Sequence, residues 1–469
     1  MTKVARLMSR IYSCDHMAKP ELISGEIPPT RDIYRKTLNM ALPSTIESVL
    51  IGFISMADTI MVGTLGPAAI AAVGITAQPR FIFLAVIMAL NIGVTAIVAR
   101  RKGEERLDAA TATMKQALIL SGVLSLSLTV LARAIATPLL TFAGAGSDII
   151  DSSVAYFRLM MVGIPFTALN MTINAAQRGC GNTKISLRTN LTANIVNIIF
   201  NYLFINGKFG FPALGVEGAA LATVIGNVIG FLMSVFSVTQ RSSALRIWSK
   251  AGWRFEKKTM HNFVTVGGNS LVEQLIMRFG FFMFVKVVAS LGTFALSTHQ
   301  ICMNLMLLCF SCCEGLGVAA SALIGQSLGA GRPDLAIIHG KVCQRVALTL
   351  SVLISIMFVF GRRLLISLFT SEQDIIALGS QIMLVIAVIS VLQMSQIVIS
   401  GSLRGAGDAR YVAIVAIFTA GMLRPGAAFL LAMPFGLVGV WVGFLSDQLI
   451  RLIMNYSRFS KGKWVNVKL

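Results

Sequence analysis

Leu42–Gly66 reads LPSTIESVLIGFISMADTIMVGTLG, an apolar stretch long enough to cross a bilayer that nonetheless carries two carboxylates, Glu47 and Asp58. A charge at the centre of a membrane helix costs about 3 kcal/mol on insertion scales, so such a residue faces protein or a watery cavity and marks a functional site by default. Similar apolar runs recur along the 469-residue chain, which is 55% hydrophobic and only 13% charged. Its mean hydropathy is +0.78. About 20 apolar residues span the roughly 30 Å hydrocarbon layer as a helix. A soluble chain of this length would need far more charge to cover itself, and a transmembrane barrel would show short alternating strands. The expected fold class is an all-α polytopic membrane protein.

Twelve transmembrane helices are expected, near 37–62, 68–99, 114–136, 152–176, 185–206, 214–239, 263–288, 294–326, 340–361, 375–400, 410–433 and 436–456. Residues 1–36, with seven Lys/Arg, read as a solvated cytoplasmic tail, and their polarity leaves no room for a cleavable signal. The same reading makes 37–239 an N-lobe (helices 1–6), 240–262 a cytoplasmic inter-lobe linker, 263–456 a C-lobe (helices 7–12), and 457–469 a cytoplasmic tail. The net charge of +20 lies mainly in alternate gaps, such as ARRKGEER (99–106), QRGCGNTK (177–184) and LRGAGDAR (403–410). That is the positive-inside pattern, not a nucleic-acid surface, and it places both termini in the cytoplasm, with Arg362 and Arg363 the main exception.

The chain repeats itself at a constant offset of 226 residues. Leu65-Gly66 aligns with Leu291-Gly292, Gly103 with Gly329, Glu47 with Glu273, and Arg178, Gly179 and Gly181 with Arg404, Gly405 and Gly407. After these the register slips, since Gly215 and Gly436 are 221 apart. Six spans per half is an even number, so both halves enter the membrane the same way round. A parallel internal duplication of two six-helix lobes is a transporter architecture.

The fifth span holds Asn190, Asn194, Asn197 and Asn201, spaced 4, 3 and 4. At 100° per residue they fall within about 60° of one another, one amide stripe on one helix face. Inter-helix hydrogen bonding is the plain alternative, but four amides in the half that supplies Asp58 read as a polar wall. Asn170 and Asn174 add an i, i+4 pair. At the 226 offset the stripe becomes Ala416, Ala420, Leu423 and Ala427, and Asp58 becomes Phe284, so the expected site is one-sided. A carboxyl taken out of water can carry a proton, and an ionised one with amide oxygens offers the hard ligands Na⁺ takes. Both readings stay open.

Glu47 and Glu273 survive duplication and suggest a scaffold or gate; Arg278 lies about 140° round the helix from Glu273, so an ion pair within the helix is not favoured. Glu314 and Asp447 each occur in one half and rank below Asp58. The four histidines form no metal set, with His299 read as packing. Cys302, Cys309, Cys312 and Cys313 read as small packing residues. Twenty-three Met and 28 Phe are mostly packing, though such a cavity would suit flat apolar cations. The glycines at 325–332 lack a Walker lysine, so no enzymatic activity and no cofactor is expected beyond a coupling ion, H⁺ or Na⁺.

MADTIMVGTLGPAAIAAVG (56–74), RGCGNTK (178–184) with NIVNIIFNYLFI (194–205), GTFALSTHQI (292–301), ALIGQSLGAGRPD (322–334) and LRGAGDAR (403–410) resemble the multidrug and toxic compound extrusion (MATE) family over roughly 37–456. The resemblance implies two lobes forming a V that rocks between inward- and outward-open states. It also implies H⁺- or Na⁺-coupled antiport of small organic, often cationic, compounds by a monomer in the lipid of the cell (inner) membrane. It assigns cation coupling to Asp58, Asn174, Asn197 and Asn201, with Na⁺ at Asp58, Asn197 and Asn201. Asn201 stands where some members have a second aspartate. Glu47, Glu273, Asn194, Glu314 and Gln393 are secondary gate or substrate candidates; Glu273 lies about one turn before another branch's glutamate, and Gln393 replaces that branch's tenth-helix aspartate. Two alternatives are a lipid-linked precursor flippase and a channel or receptor. The flippase should show a cationic cavity, whereas the intramembrane charges here read mainly as acids.

Overall fold

The computed structural model describes residues 13–14, 16–18, 20–147, 149–241, 243–249 and 252–467. No strand occurs among them. The long helices are α1 Thr30–Gly63, α2 Pro67–Gly103, α3 Leu107–Ala134, α4 Ile150–Gly179, α5 Thr183–Ile205, α6 Gly215–Thr239, α7 over 257–290, α8 Thr293–Gly329, α9 Pro333–Ser367, α10 Gln373–Gly405, α11 over 409–435 and α12 over 437–460. Helical hydrogen bonding runs on from α11 to α12, but Gly436 breaks the rod with φ 55° and ψ −138°. Two helices contain a π-helical turn, Phe263–Gly267 in α7 and Ile417–Leu423 in α11.

Nine spans among the described residues are long and apolar enough to cross a membrane, with α11 and α12 counted as one. The two helices outside that set are α5, which carries the amide stripe, and α7, which carries Glu273, Arg278 and Lys286. The helices that fall short on hydropathy are thus two polar ones, the fifth of the first repeat and the first of the second.

The duplication is visible in the turns. Gly66 and Gly292 both have positive φ, 102° and 99°, where a side chain would be strained. The five-residue slip in the repeat falls at the α5–α6 connection, which occupies 206–214 in the first half and shrinks to Gly436 in the second.

Packing divides the chain into two compact units. One comprises Ile46–Arg101 and Arg106–Leu271; the other comprises the described residues up to Thr45, Lys102–Glu105, and Val272 onward. The cuts fall inside α1 after Thr45 and inside α7 after Leu271, again 226 residues apart. In the second unit, Gly315 of α8 lets the α1 backbone at Thr45 approach where a Cβ would collide. In the first, Gly267 of α7 packs on the α2 backbone at Ala89.

The described part of the tail is not a solvated strand of chain. Cys14, Met17 and Ala18 are buried against Ile33, Ile338 and Val342. Lys341 Nζ donates to the Met17 carbonyl at 2.7 Å and Arg332 Nη2 to that of Glu26 at 2.9 Å. Apolar residues interspersed among the charges of 1–36 supply this contact, which a charge count does not reveal. Residues 1–12 lie outside the described set.

Candidate functional site

Asp58 sits late in α1, and Asn201 late in α5. Asn201 Nδ2 donates to Asp58 Oδ1 at 2.7 Å. The Asn197 amide lies between Asp58 and Thr223 of α6. With its nitrogen turned to the carboxylate it donates to Oδ1 and Oδ2 at 2.8 and 3.2 Å, while its oxygen accepts from Thr223 Oγ1 and N at 3.0 and 3.1 Å. That orientation follows from the surrounding donors and acceptors, because amide ends are assigned from the network. Asn201 is 1% exposed, and its Oδ1 has no hydrogen-bond partner among the described residues. Close helix packing sets this geometry: a Cβ on Gly226 of α6 would lie 2.6 Å from the Ala193 carbonyl and 3.1 Å from Asn197 Cβ.

The stripe on α5 does not form one wall. Its first member, Asn190, belongs to a second network eleven residues away, where Nδ2 donates to Glu47 Oε1 at 2.5 Å and Oδ1 accepts from Asn170 at 3.2 Å. Ser186 Oγ also donates to Glu47 Oε1, at 2.8 Å, with Arg178 Nη1 at 3.6 Å. Asn174 bonds to Asn170 and Thr189 and belongs to this cluster, not to Asp58. Asn194, half-buried between the two networks, makes no hydrogen bond among the described residues. Residue spacing places amides on a face, but only the neighbouring helices decide which acid each one meets.

The family assignment rests on both halves together. A family profile described as MatE matches residues 43–203 and 270–451. The chain belongs to the MatE family. Proteins similar to this chain include an uncharacterized transporter, YisQ, of Bacillus subtilis, 28% identical over 91% of this chain and 94% of its own. The probable multidrug resistance protein NorM of Thermotoga maritima is 26% identical, covering 95% of this chain and 96% of its own. A solved outward-facing multidrug resistance MATE transporter superposes with a TM-score of 0.86 at 21% identity, over 92% of this chain and 97% of that one. A Pyrococcus furiosus transporter, whose solved structure is described by a binding pocket of reversed polarity, gives 0.85 at the same identity and coverage. The MATE fold is two lobes of six helices, and MATE proteins are transporters, so this chain is not an enzyme.

Among the described residues the C-lobe holds no counterpart of the Asp58 site. Phe284, at the equivalent position, is 1% exposed and packs on His299, Trp441 and Phe444 with ring centroids 5.5, 6.0 and 5.7 Å away. Glu273 pairs across helices with Arg404, whose Nη1 reaches both oxygens at 3.0 and 3.2 Å. Glu314 of α8 lies within range of the charges on Arg278 and Arg404. Gln393 is buried, its Oε1 without a partner among the described residues.

Three arginines correct the reading that intramembrane charges are mainly acids. Arg424 is fully buried and donates to Asp447 Oδ2 from Nε and Nη2 at 2.9 and 2.5 Å, between the rings of Phe281 and Phe444. Arg451 Nη2 donates to Asp447 Oδ1 at 3.1 Å and its Nε to Thr419 in the π turn at 3.0 Å. Asp447 is therefore closed from both sides. Arg80 of α2 lies close enough for its charge to act on Asp58 and on Tyr156, and its Nε is buried without a partner among the described residues. The sequence signal for Arg80 was a single cation after Pro79 inside an apolar run. No cluster able to hold a metal through His, Cys, Asp and Glu alone occurs among the described residues.

Proposed function

We propose that this MATE protein is a secondary active multidrug exporter, driven by H⁺ or Na⁺ moving inward through the Asp58 site while organic, often cationic, compounds move out. The observation that carries this reading is Asp58 held by two amides beside the unpartnered Asn201 Oδ1. A buried acceptor without a donor favours a cation ligand or a donor brought by protonation. The Asn197 amide suits both states of the acid. Its nitrogen satisfies an ionised carboxylate; turned over, its oxygen accepts from a protonated one or faces a bound Na⁺. The oxygen set of Asp58, Asn197 and Asn201 matches the hard ligands such an ion takes.

The multidrug name of the NorM relative supports the substrate class. The two lobes would rock to alternate access, in the cell membrane, with the basic turns and both termini on the cytoplasmic side. The protein would work as a monomer in lipid with no cofactor beyond the coupling ion.

The test is dye efflux in everted membrane vesicles under a Na⁺ gradient or a pH gradient, each imposed alone. One gradient should drive accumulation of a cationic dye, and Asp58→Asn should abolish it while the protein still inserts. Wild-type efflux by that variant would rule out Asp58 as the coupling site. Equilibration without uphill accumulation would favour a channel.

A further inference from the structure

The two acids preserved by the duplication are held differently. Glu273 is closed by Arg404, whose Nη1 contacts both of its oxygens. At Glu47 the equivalent Arg178 is drawn aside: its Nη1 donates to Ser186 Oγ at 2.8 Å and stands 3.6 Å from Oε1. Ser186 and Asn190 fill that same oxygen at 2.8 and 2.5 Å. The corresponding residues in the other half are Val412 and Ala416, which can do neither. The outcome is that Glu47, 7% exposed, keeps a buried Oε2 with no hydrogen-bond partner among the described residues. A buried carboxylate oxygen in that state calls for a proton, a cation or water.

Its position is as telling as its bonding. Glu47 and Asp58 are eleven residues apart, which puts them within about 20° on one face of α1 and roughly 16 Å apart along it. Asn190 and Asn201 have the same spacing on α5, and both acid–amide contacts join residues 143 apart in sequence. The helices therefore run parallel with two rungs in one register, and Asn194 and Asn197 stand between the rungs. Glu47 is the rung nearer the basic turn at 177–184.

We propose that Glu47 is a second cation-handling carboxylate, on the basic-turn side of Asp58, through which the proton or monovalent cation passes between Asp58 and the cytoplasm. Ser186 and Asn190 keep the site open by holding Arg178 off the second oxygen. The inference rests on the Asp58 reading above, and the experiment separates the two.

Everted vesicles carrying the full-length protein expose the basic-turn end to the bath, where H⁺ and Na⁺ are varied in separate arms while dye efflux is recorded. Glu47→Gln should shift the bath cation concentration for half-maximal rate by roughly tenfold, the loss expected when one ligand to a charge is removed. Dye binding without a gradient should be unchanged, and Glu47→Asp should restore the dependence. The pair Ser186→Val with Asn190→Ala, which copies the C-lobe, should let Arg178 close on Glu47 and reproduce the shift in a protein that retains its carboxylate. A wild-type cation dependence in Glu47→Gln would overturn the proposal, as would a slower rate with unchanged dependence and a lowered melting temperature, which would make Glu47 structural. Uphill efflux persisting in Asp58→Asn would instead overturn the Asp58 reading, whatever Glu47 does.

Discussion

The same helix pair is built twice in this chain, and the two versions hold opposite contents. Between α5 and α6, Gly226 and Gly230 bring the backbones close, and the amides of Asn197 and Asn201 are left to address a single acid, Asp58. Aligning Gly215 with Gly436 places Asp447 and Arg451 of α12 at the positions of those glycines. There the acid is closed by two guanidiniums, and Phe284 fills the place of Asp58 with packed rings. Duplication has kept the turns and the helix order, while the polar interior has diverged. A carboxylate with open ligand positions can exchange partners; one sealed between two arginines can do so only by uncovering buried charge.

The largest effect is expected from Asp447→Ala. It strands Arg424 and Arg451 in the C-lobe and should cost about 3–5 kcal/mol, read as a large drop in the melting temperature of the detergent-solubilised protein. An unchanged melting temperature would show that the C-lobe cluster is not a structural ion pair. Asn201→Ala should leave stability nearly intact and weaken apparent cation affinity by about 1.5–3 kcal/mol, the worth of a hydrogen bond to a charged group. Its C-lobe counterpart, Ala427→Ser, should leave cation affinity unaltered in the same efflux titration.

Gly226→Ala probes how far packing sets the N-lobe site. The new Cβ must push the Ala193 carbonyl or Asn197, at a cost of about 1–3 kcal/mol, and should lower both melting temperature and cation affinity. A change in only one of the two would uncouple the helix contact from the site.

The smallest effect concerns the charged turn outside the membrane. The Thr259 hydroxyl, and then the Arg101 charge, hold the Glu256 carboxyl below its ordinary range despite partial burial. The stabilisation this gives is present above the ordinary glutamate value and is lost as pH falls from there through the lower folded value. Hydrogen exchange over 257–262 should rise in that window, and Glu256→Gln should abolish the pH dependence.

Much of the fold was legible because lipid imposes a simple rule: spans must be apolar, helical and near a fixed length. The expected spans near 185–206 and 214–239 became Thr183–Ile205 and Gly215–Thr239. The Glu47/Glu273 equivalence was also legible, since a constant offset needs no coordinates. The buried roles of Arg424 and Arg451 are not legible in the sequence, because a lone cation in an apolar run looks like a span end until its partner is known. Family resemblance groups Asn174 with Asp58, whereas its neighbours on α4 and α5 bind it into the Glu47 network.

The class, the helix order, the parallel duplication and the one-sidedness of the amide stripe are all readable from residue order alone, because hydropathy, period and offset are properties of one dimension. It took the packed helices to show that the stripe serves two acids, that Arg178 bonds to Ser186 and stands 3.6 Å from Glu47 while Arg404 bonds Glu273 directly, and that Asp447 is sealed. Those outcomes depend on which side chains neighbouring helices bring within 3 Å or so of one another, the range over which a hydrogen bond forms.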